Sequence, residues 1–229
     1  MNRPQPTVIV DIGNNHEGNF QVALELIERA KECGADLAKF QAGRAEGCAR
    51  TPQDIPRYRK YEFTKEEYER LIKHGEKVGI PVFFSVWSEE FADFRKLPYF
   101  KIPARQCNRD YIQRYSTETT FISVPHTLDD VRGLGIRKGV VLHCVSHYPA
   151  QAGFFWRFHE LRRELGVSIP LGFSDHFIGI EYAVTAVHSY QAVAIEKHFT
   201  LRHDFGPLRD HQLSATPEEL RELVERVKS

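Results

Sequence analysis

Short runs rich in Val, Ile and Phe alternate along this chain with longer stretches whose apolar residues recur every three or four positions. The first pattern predicts strands and the second amphipathic helices. Strands are expected over residues 7–13, 36–41, 81–87, 99–104, 119–124, 139–146, 170–175 and 192–199. Several, among them VIVDI, VFFSV and VVLHCV, are almost continuously apolar. Strands buried on both faces read that way, which favours a parallel sheet. Helices are expected in FQVALELIERAKECG, with Gly34 as C-cap, and in TKEEYERLIKHGEKVG, where Thr64 and Glu67 form a capping box. NRDYIQRY, FFWRFHELRREL and GIEYAVTAVHSY follow, and then TPEELRELVERVKS, with Thr216 as N-cap and Pro217 at the first helical position. The connections after Trp87 and Val124 carry little helical pattern. Eight strand–helix alternations with no linker predict an α/β chain folded as one compact (β/α)8 barrel with shortened loops, a single catalytic domain over residues 1–229. An open doubly wound sheet is the alternative topology, and it usually needs fewer strands.

In such a barrel alternate strand residues point inward, and chemistry collects at the C-terminal strand ends. Polar residues fall there with consistent parity. Lys39 and Gln41 end the second strand, Ser85 the third, Lys101 the fourth and Ser123 the fifth. Ser146 and Tyr148 follow the sixth, Ser174 and His176 the seventh, and Glu196 and His198 the eighth, while Asn15, His16 and Glu17 follow the first. Buried polar groups need a partner, a ligand or water, so this placement predicts a polar pocket at one mouth. Two lysines suit a phosphate or carboxylate, with serines as neutral donors. Two histidines on adjacent strands can share a divalent metal, a Lewis acid for a carbonyl. Each residue alone has a plainer reading, since a strand-end lysine can pair with an acid and a strand histidine can be a hydrogen-bonded core residue. Their joint placement favours a site.

Composition narrows the partners. Lys and Arg number 31 against 31 Asp and Glu, which gives no electrostatic case for nucleic acid or an anionic membrane. Apolar runs are far shorter than a membrane span, and the N-terminus enters the first strand without a signal-peptide core. Cys33, Cys48, Cys107 and Cys144 are scattered and read as reduced thiols, so a cytoplasmic globular protein is expected. Cys144 reads as an interior strand residue and not a nucleophile, and His143, His147, His188 and His203 as structural or solvated. The basic cluster at residues 57–60 reads as solvated surface in preference to a loop over the mouth.

IGNNHEGN, followed by a helix and GADLAKFQ, resembles the opening of the sialic acid (N-acetylneuraminate) synthase family. FFSVW, FKIPARQCN, TTFISV, LHCVSHYP, LGFSDHFIGIE, IEKHFTL and GPLRDHQLSATPEEL continue that resemblance in order over nearly the whole chain. NHEG, GFSDH and EKHFT are its most specific blocks. The resemblance implies a TIM barrel that condenses phosphoenolpyruvate with an N-acetylmannosamine-like sugar, giving a sialic-acid-type nonulosonic acid and phosphate. It implies a divalent metal, Mn²⁺ or Mg²⁺, on His176 and His198. It also assigns Glu17, Tyr148 and Asp210 to the sugar, and Lys39, Lys101, Ser123 and Ser174 to the phosphate and carboxylate of phosphoenolpyruvate. Ser146 stands in the same pocket, and Glu17, Lys39, Lys101, Tyr148 and His198 form the implied catalytic set.

The match departs from the family at defined places. An FST-type block is Phe84-Ser85-Val86, and a KIGSGE-type block is Lys101-Ile102-Pro103-Ala104-Arg105-Gln106. An asparagine is replaced by Ser146, and a GPDH contact is stretched over residues 206–211. Each lost donor to a phosphate costs about 1–3 kcal/mol, and Arg105 is expected to offset part of this as a substrate-binding residue. The resemblance covers the barrel without the antifreeze-like C-terminal domain that in many relatives supplies an arginine across a dimer. Either another residue or a protein, such as a homodimer partner or partner subunit, is therefore expected to complete the site, or the sugar differs. Two other functions fit the altered blocks: an aldolase or isomerase acting on another phosphorylated or carboxylated molecule, or a non-catalytic binding module of a glycan pathway.

Overall fold

The computed structural model describes residues 4–152 and 154–229. Eight strands are present: β1 (Thr7–Gly13), β2 (Leu37–Ala42), β3 (Val82–Val86), β4 (Phe100–Ile102), β5 (Thr120–Pro125), β6 (Val140–Cys144), β7 (Leu171–Asp175) and β8 (Ala194–His198). They close into a barrel in chain order, every pair parallel, with Asp11 of β1 opposite both Lys39 of β2 and His198 of β8. The eight-stranded parallel barrel expected from the alternating pattern is the fold.

Around it lie α1 (Phe20–Glu32), α2 (Ala45–Cys48), α3 (Ile55–Tyr58), α4 (Lys65–Val78), α5 (Arg109–Tyr115), α6 (Trp156–Leu165), α7 (Glu181–Tyr190) and α8 (Pro217–Lys228). Capping chemistry sets their ends. Thr64 and Thr216 form capping boxes with Glu67 and Glu219, and Asn19 caps α1 by accepting from the backbone of Gln21 and Val22. Cys33, not Gly34, is the C-cap of α1, and Gly34 follows it with φ +86°, a left-handed conformation that suits glycine. The two connections poor in helical pattern hold only 3₁₀ turns, Glu89–Lys96 and Arg132–Leu134. The single turns α2 and α3 interrupt the long β2–α4 connection, which the periodicity does not reveal.

Some strands are shorter than their apolar runs. β4 stops at Ile102 because Pro103 has no N–H to give the ladder and the chain turns into a 3₁₀ helix over Ala104–Gln106. β6 stops at Cys144, so Ser146 stands on the loop beyond it.

Inward residues form two layers. Ile9, Leu37, Phe83, Phe121, Leu142 and Ala194 make a separate apolar plug towards the N-terminal end, with the Phe83 and Phe121 rings 5.8 Å apart. Two residues further along the strands, that layer gives way to Asp11, Lys39, Ser85, Ser123, Cys144 and Glu196. The plug shuts one end to water and leaves polar groups to face the other. The larger core lies between barrel and helices and contains Val8, Val10, Phe40, Phe84 and Val86. All four cysteines are unpaired, and among the described residues no helix is long and apolar enough to cross a membrane.

Candidate active site

A cavity of about 120 Å³ opens at the C-terminal strand ends, with room for several waters or one small molecule. Its floor is a network of buried charges. Lys39 Nζ donates to Asp11 Oδ2 at 2.6 Å and lies 3.7 Å from Glu196 Oε2. Lys101 Nζ donates to Glu196 Oε1 at 2.5 Å, and Ser174 Oγ donates to the same oxygen at 3.0 Å. Burial pushes the Glu196 carboxyl up, but Lys101 and Lys39 outweigh it and hold the group well below the usual carboxylate range. Burial likewise works against the Lys39 ammonium, yet Asp11 and Glu196 hold its pKa above the ordinary lysine value. Burial pulls Lys101 below that value, with Glu196 opposing and Lys39 adding to the pull. Two ammoniums thus face two carboxylates, and the floor is balanced.

Beside this network stand two imidazoles, 5.4 Å between ring centroids. His176 Nδ1 lies 2.7 Å from the Val145 carbonyl, which can only accept, so Nδ1 carries the proton. Its Nε2 then accepts from the Tyr148 hydroxyl at 3.0 Å. His198 is buried just behind the lining residues, and neither ring nitrogen has a hydrogen-bond partner among the described residues. Asp11 Oδ2 lies 3.7 Å from its Nε2. An orphaned buried imidazole beside a second one whose Nε2 lone pair is engaged only by the Tyr148 hydroxyl is a donor set that fits a divalent cation once that hydroxyl moves aside. Among the described residues no three or more His, Cys, Asp or Glu surround one point. A cation held by this pair alone would draw its remaining ligands from water and substrate.

Ser123 presents a buried hydroxyl with no partner among the described residues. Ser146 lines the cavity 3.6 Å from the Cys144 sulfur. Cys144 itself faces the cavity, and although burial pushes its thiol up, His176 and Lys101 bring it below the ordinary value. Sequence alone does not show that environment. Tyr148 is pushed well above the ordinary phenol range, chiefly by burial. Asp210 lines the mouth with Arg209, whose guanidinium lies 5.1 Å from the centre of the Tyr148 ring.

Two expectations change. Glu17 is not among the lining residues, because its Oε1 accepts from the Leu208 N–H at 3.1 Å and lies 3.0 Å from His211 Nε2. It has φ +52°, and a Cβ on Gly206 would collide with its carboxylate, so that loop closes tightly on it. Asp11 is the acid that β1 sends into the cavity, as strand parity counted from Ile9 allows. The basic cluster at residues 57–60 is only partly solvated surface. Arg57 and Tyr58 line the mouth along with Arg50, Arg105 and Arg209. Arg105 donates to the carbonyls of Cys48 at 2.7 Å and Ala49 at 3.3 Å and stacks on Trp87, so it ties the β2–α4 connection to the mouth.

Residues 26–229 match the NeuB family. The chain belongs to that family. It is 30% identical to the N-acetylneuraminate-9-phosphate synthase of Homo sapiens, over 96% of this chain and 69% of that protein. It is 28% identical to the N,N'-diacetyllegionaminic acid synthase of Legionella pneumophila, over 96% and 71%. The crystal structure of the sialic acid synthetase of Leptospira borgpetersenii, solved with citrate, is similar with a TM-score of 0.82 at 25% identity, covering 97% of this chain and 82% of that one. These relatives support a synthase-like enzyme on the shared barrel.

Within the NeuB family the chain's departures have unequal weight. Val86 packs wholly in the outer core, so the missing hydroxyl there is not one removed from the cavity wall. Its neighbours Ser85 and Trp87 face the cavity, with Trp87 Nε1 donating to Ser85 Oγ at 3.1 Å. Gln106 is turned away as well, donating to the Val86 carbonyl at 2.9 Å. Ala104 does line the cavity.

Proposed function

We propose that this NeuB-family chain condenses phosphoenolpyruvate with an N-acetylmannosamine-like amino-sugar aldehyde, yielding a sialic-acid-type nonulosonic acid and phosphate. The observation that carries the reading is the meeting of Lys39, Lys101 and His176 in one cavity wall, with the His198 ring 5.4 Å from that of His176. His176 and His198 would hold Mn²⁺ or Mg²⁺, and when bound the cation supplies Lewis acidity to the sugar aldehyde.

The chain's own residues do the positioning. Lys39 and Lys101 hold the phosphate and carboxylate of phosphoenolpyruvate, with Ser123 and Ser174 as neutral donors. C3 of phosphoenolpyruvate forms the new bond to the aldehyde carbon as the C2–C3 π pair moves. Water adds at C2, and the tetrahedral intermediate expels phosphate to leave the C2 ketone. The apolar plug beneath the floor keeps bulk water from the ammoniums, so their charge acts at low dielectric. Tyr148, once its hydroxyl leaves His176, and Asp210 are placed to bind the sugar. Arg50, Arg57, Arg105 and Arg209 leave the mouth with excess positive charge over Asp210. That excess favours a sugar bearing an anionic group at its far end, and the human relative is named a 9-phosphate synthase. Use of phosphoenolpyruvate would place the reaction in the cytoplasm.

Phosphate release from phosphoenolpyruvate tests the reading. Release should need both Mn²⁺ and an N-acetylmannosamine-type sugar, and no dependence on either would overturn it.

A further inference from the structure

The inward residues at the ends of β7 and β8 alternate with a second buried ion pair that faces away from the cavity. Asp175 and Lys197 are 0% and 1% exposed, sit opposite each other in the ladder and come within 3.3 Å, Oδ2 to Nζ. Each lies one residue before a candidate metal histidine. Lys197 Nζ donates to the Phe177 carbonyl, and Asp175 Oδ1 accepts from the Phe177 N–H at 2.8 Å. Both backbone groups of the residue after His176 are therefore held by this pair.

The bracing matters because β7 ends at Asp175, leaving His176 beyond the ladder. On the other side, the His176 carbonyl accepts from the Ala150 N–H at 2.9 Å. The Phe177 ring stacks on Tyr182 of α7 at 3.7 Å, anchoring the turn to a helix. Lys197 belongs to the same strand as His198, so the pair ties the turn carrying one imidazole to the strand carrying the other. Stability alone is a poor reason for a buried ion pair, since apolar residues of similar volume serve as well or better.

We propose that Asp175 and Lys197 are positioning residues that set the spacing of His176 and His198 for one divalent cation. This rests on the two-histidine metal site proposed above. Outer partners of metal-binding histidines control ligand orientation, and their loss typically weakens binding 10- to 100-fold.

The test is Mn²⁺ titration of the purified chain by calorimetry, with thermal unfolding in parallel, for wild type, Lys197→Met, Lys197→Arg, Asp175→Asn and His198→Ala. At a temperature where each variant is still folded, Lys197→Met should weaken Mn²⁺ binding roughly 10-fold or more, and Lys197→Arg should restore most of it. Asp175→Asn keeps side-chain shape and should show the same loss should Lys197→Met fail to fold. Wild-type affinity in Lys197→Met or Asp175→Asn, with His198→Ala losing the ion, overturns the positioning role and leaves the metal site standing. No Mn²⁺ binding by wild type, or full binding by His198→Ala, overturns both.

Discussion

Lys101 and Glu196 meet across the barrel, Nζ to Oε1 2.5 Å, with side chains only 2% and 4% exposed. With Lys39 and Asp11 they make a floor whose charges cancel before any substrate arrives. An entering anion competes with carboxylates for ammoniums already desolvated, so the protein carries the cost of stripping water from them in advance.

Replacing Glu196 with Gln removes half of that compensation. Breaking one side of a buried pair costs about 3–5 kcal/mol, so urea unfolding should show Glu196→Gln strongly destabilised. Inorganic phosphate should recover more stability in the variant than in wild type, because it supplies the missing negative charge. The acid limb should change too. The folded Glu196 carboxyl titrates well below its unfolded value of 4.5, so its contribution is present above pH 4.5 and is lost as pH falls towards the folded value. Glu196→Gln should flatten stability against pH in that window.

His16 gives a separate pH dependence. It is buried, stacked on Phe63 at 4.3 Å, and its Nδ1 accepts from the Gly18 N–H at 3.1 Å. Burial lowers its pKa from 6.5 to about 3. The unfolded chain therefore binds the extra proton between those values. Stability is full above pH 6.5 and falls with acidification towards pH 3, by about 1.4 kcal/mol per pH unit. Chemical denaturation between pH 7 and 4 should show this slope in wild type and a shallower one in His16→Gln, once each is corrected for its stability at neutral pH.

At the mouth the effects should be small and salt-dependent. Arg57 is 48% exposed and paired with Asp54 at 3.3 Å, so solvent screens it. Exposed charge contacts are worth about 0.2–1 kcal/mol, or up to roughly fivefold in affinity. Arg57→Ala and Arg209→Ala should raise KM for an amino sugar with a terminal phosphate by about that factor, leave kcat near wild type and scarcely affect the neutral sugar. Equal effects on both sugars would count against an anion preference at the mouth.

The barrel is legible in the sequence because burial on both faces writes a strand as a nearly continuous apolar run, and capping residues mark helix ends. VIVDI and VFFSV appear as β1 and β3 almost to the residue, and Thr64 and Thr216 cap as their spacing predicts. Strand parity also places Lys39, Lys101, Ser123, Ser174 and His176 at the cavity wall. It fails where the chain leaves the strand. Glu17 lies on a loop whose fold depends on Leu208 and His211, almost two hundred positions away, and no local pattern encodes that contact. Asp11 is recoverable from parity with Ile9, but a single acid inside an apolar run draws less notice than a motif. Arg57 and Arg209 reach the mouth through irregular connections, for which periodicity carries no information.

The most direct test follows phosphate release from phosphoenolpyruvate in wild type and His198→Ala, with and without Mn²⁺ and N-acetylmannosamine. Neither nitrogen of His198 has a hydrogen-bond partner among the described residues, so its removal should leave the fold in place. Wild type should release phosphate only when metal and sugar are both present, and His198→Ala should lose at least about 100-fold of that rate. Release that ignores the metal, or that persists unchanged in His198→Ala, would contradict the proposed chemistry.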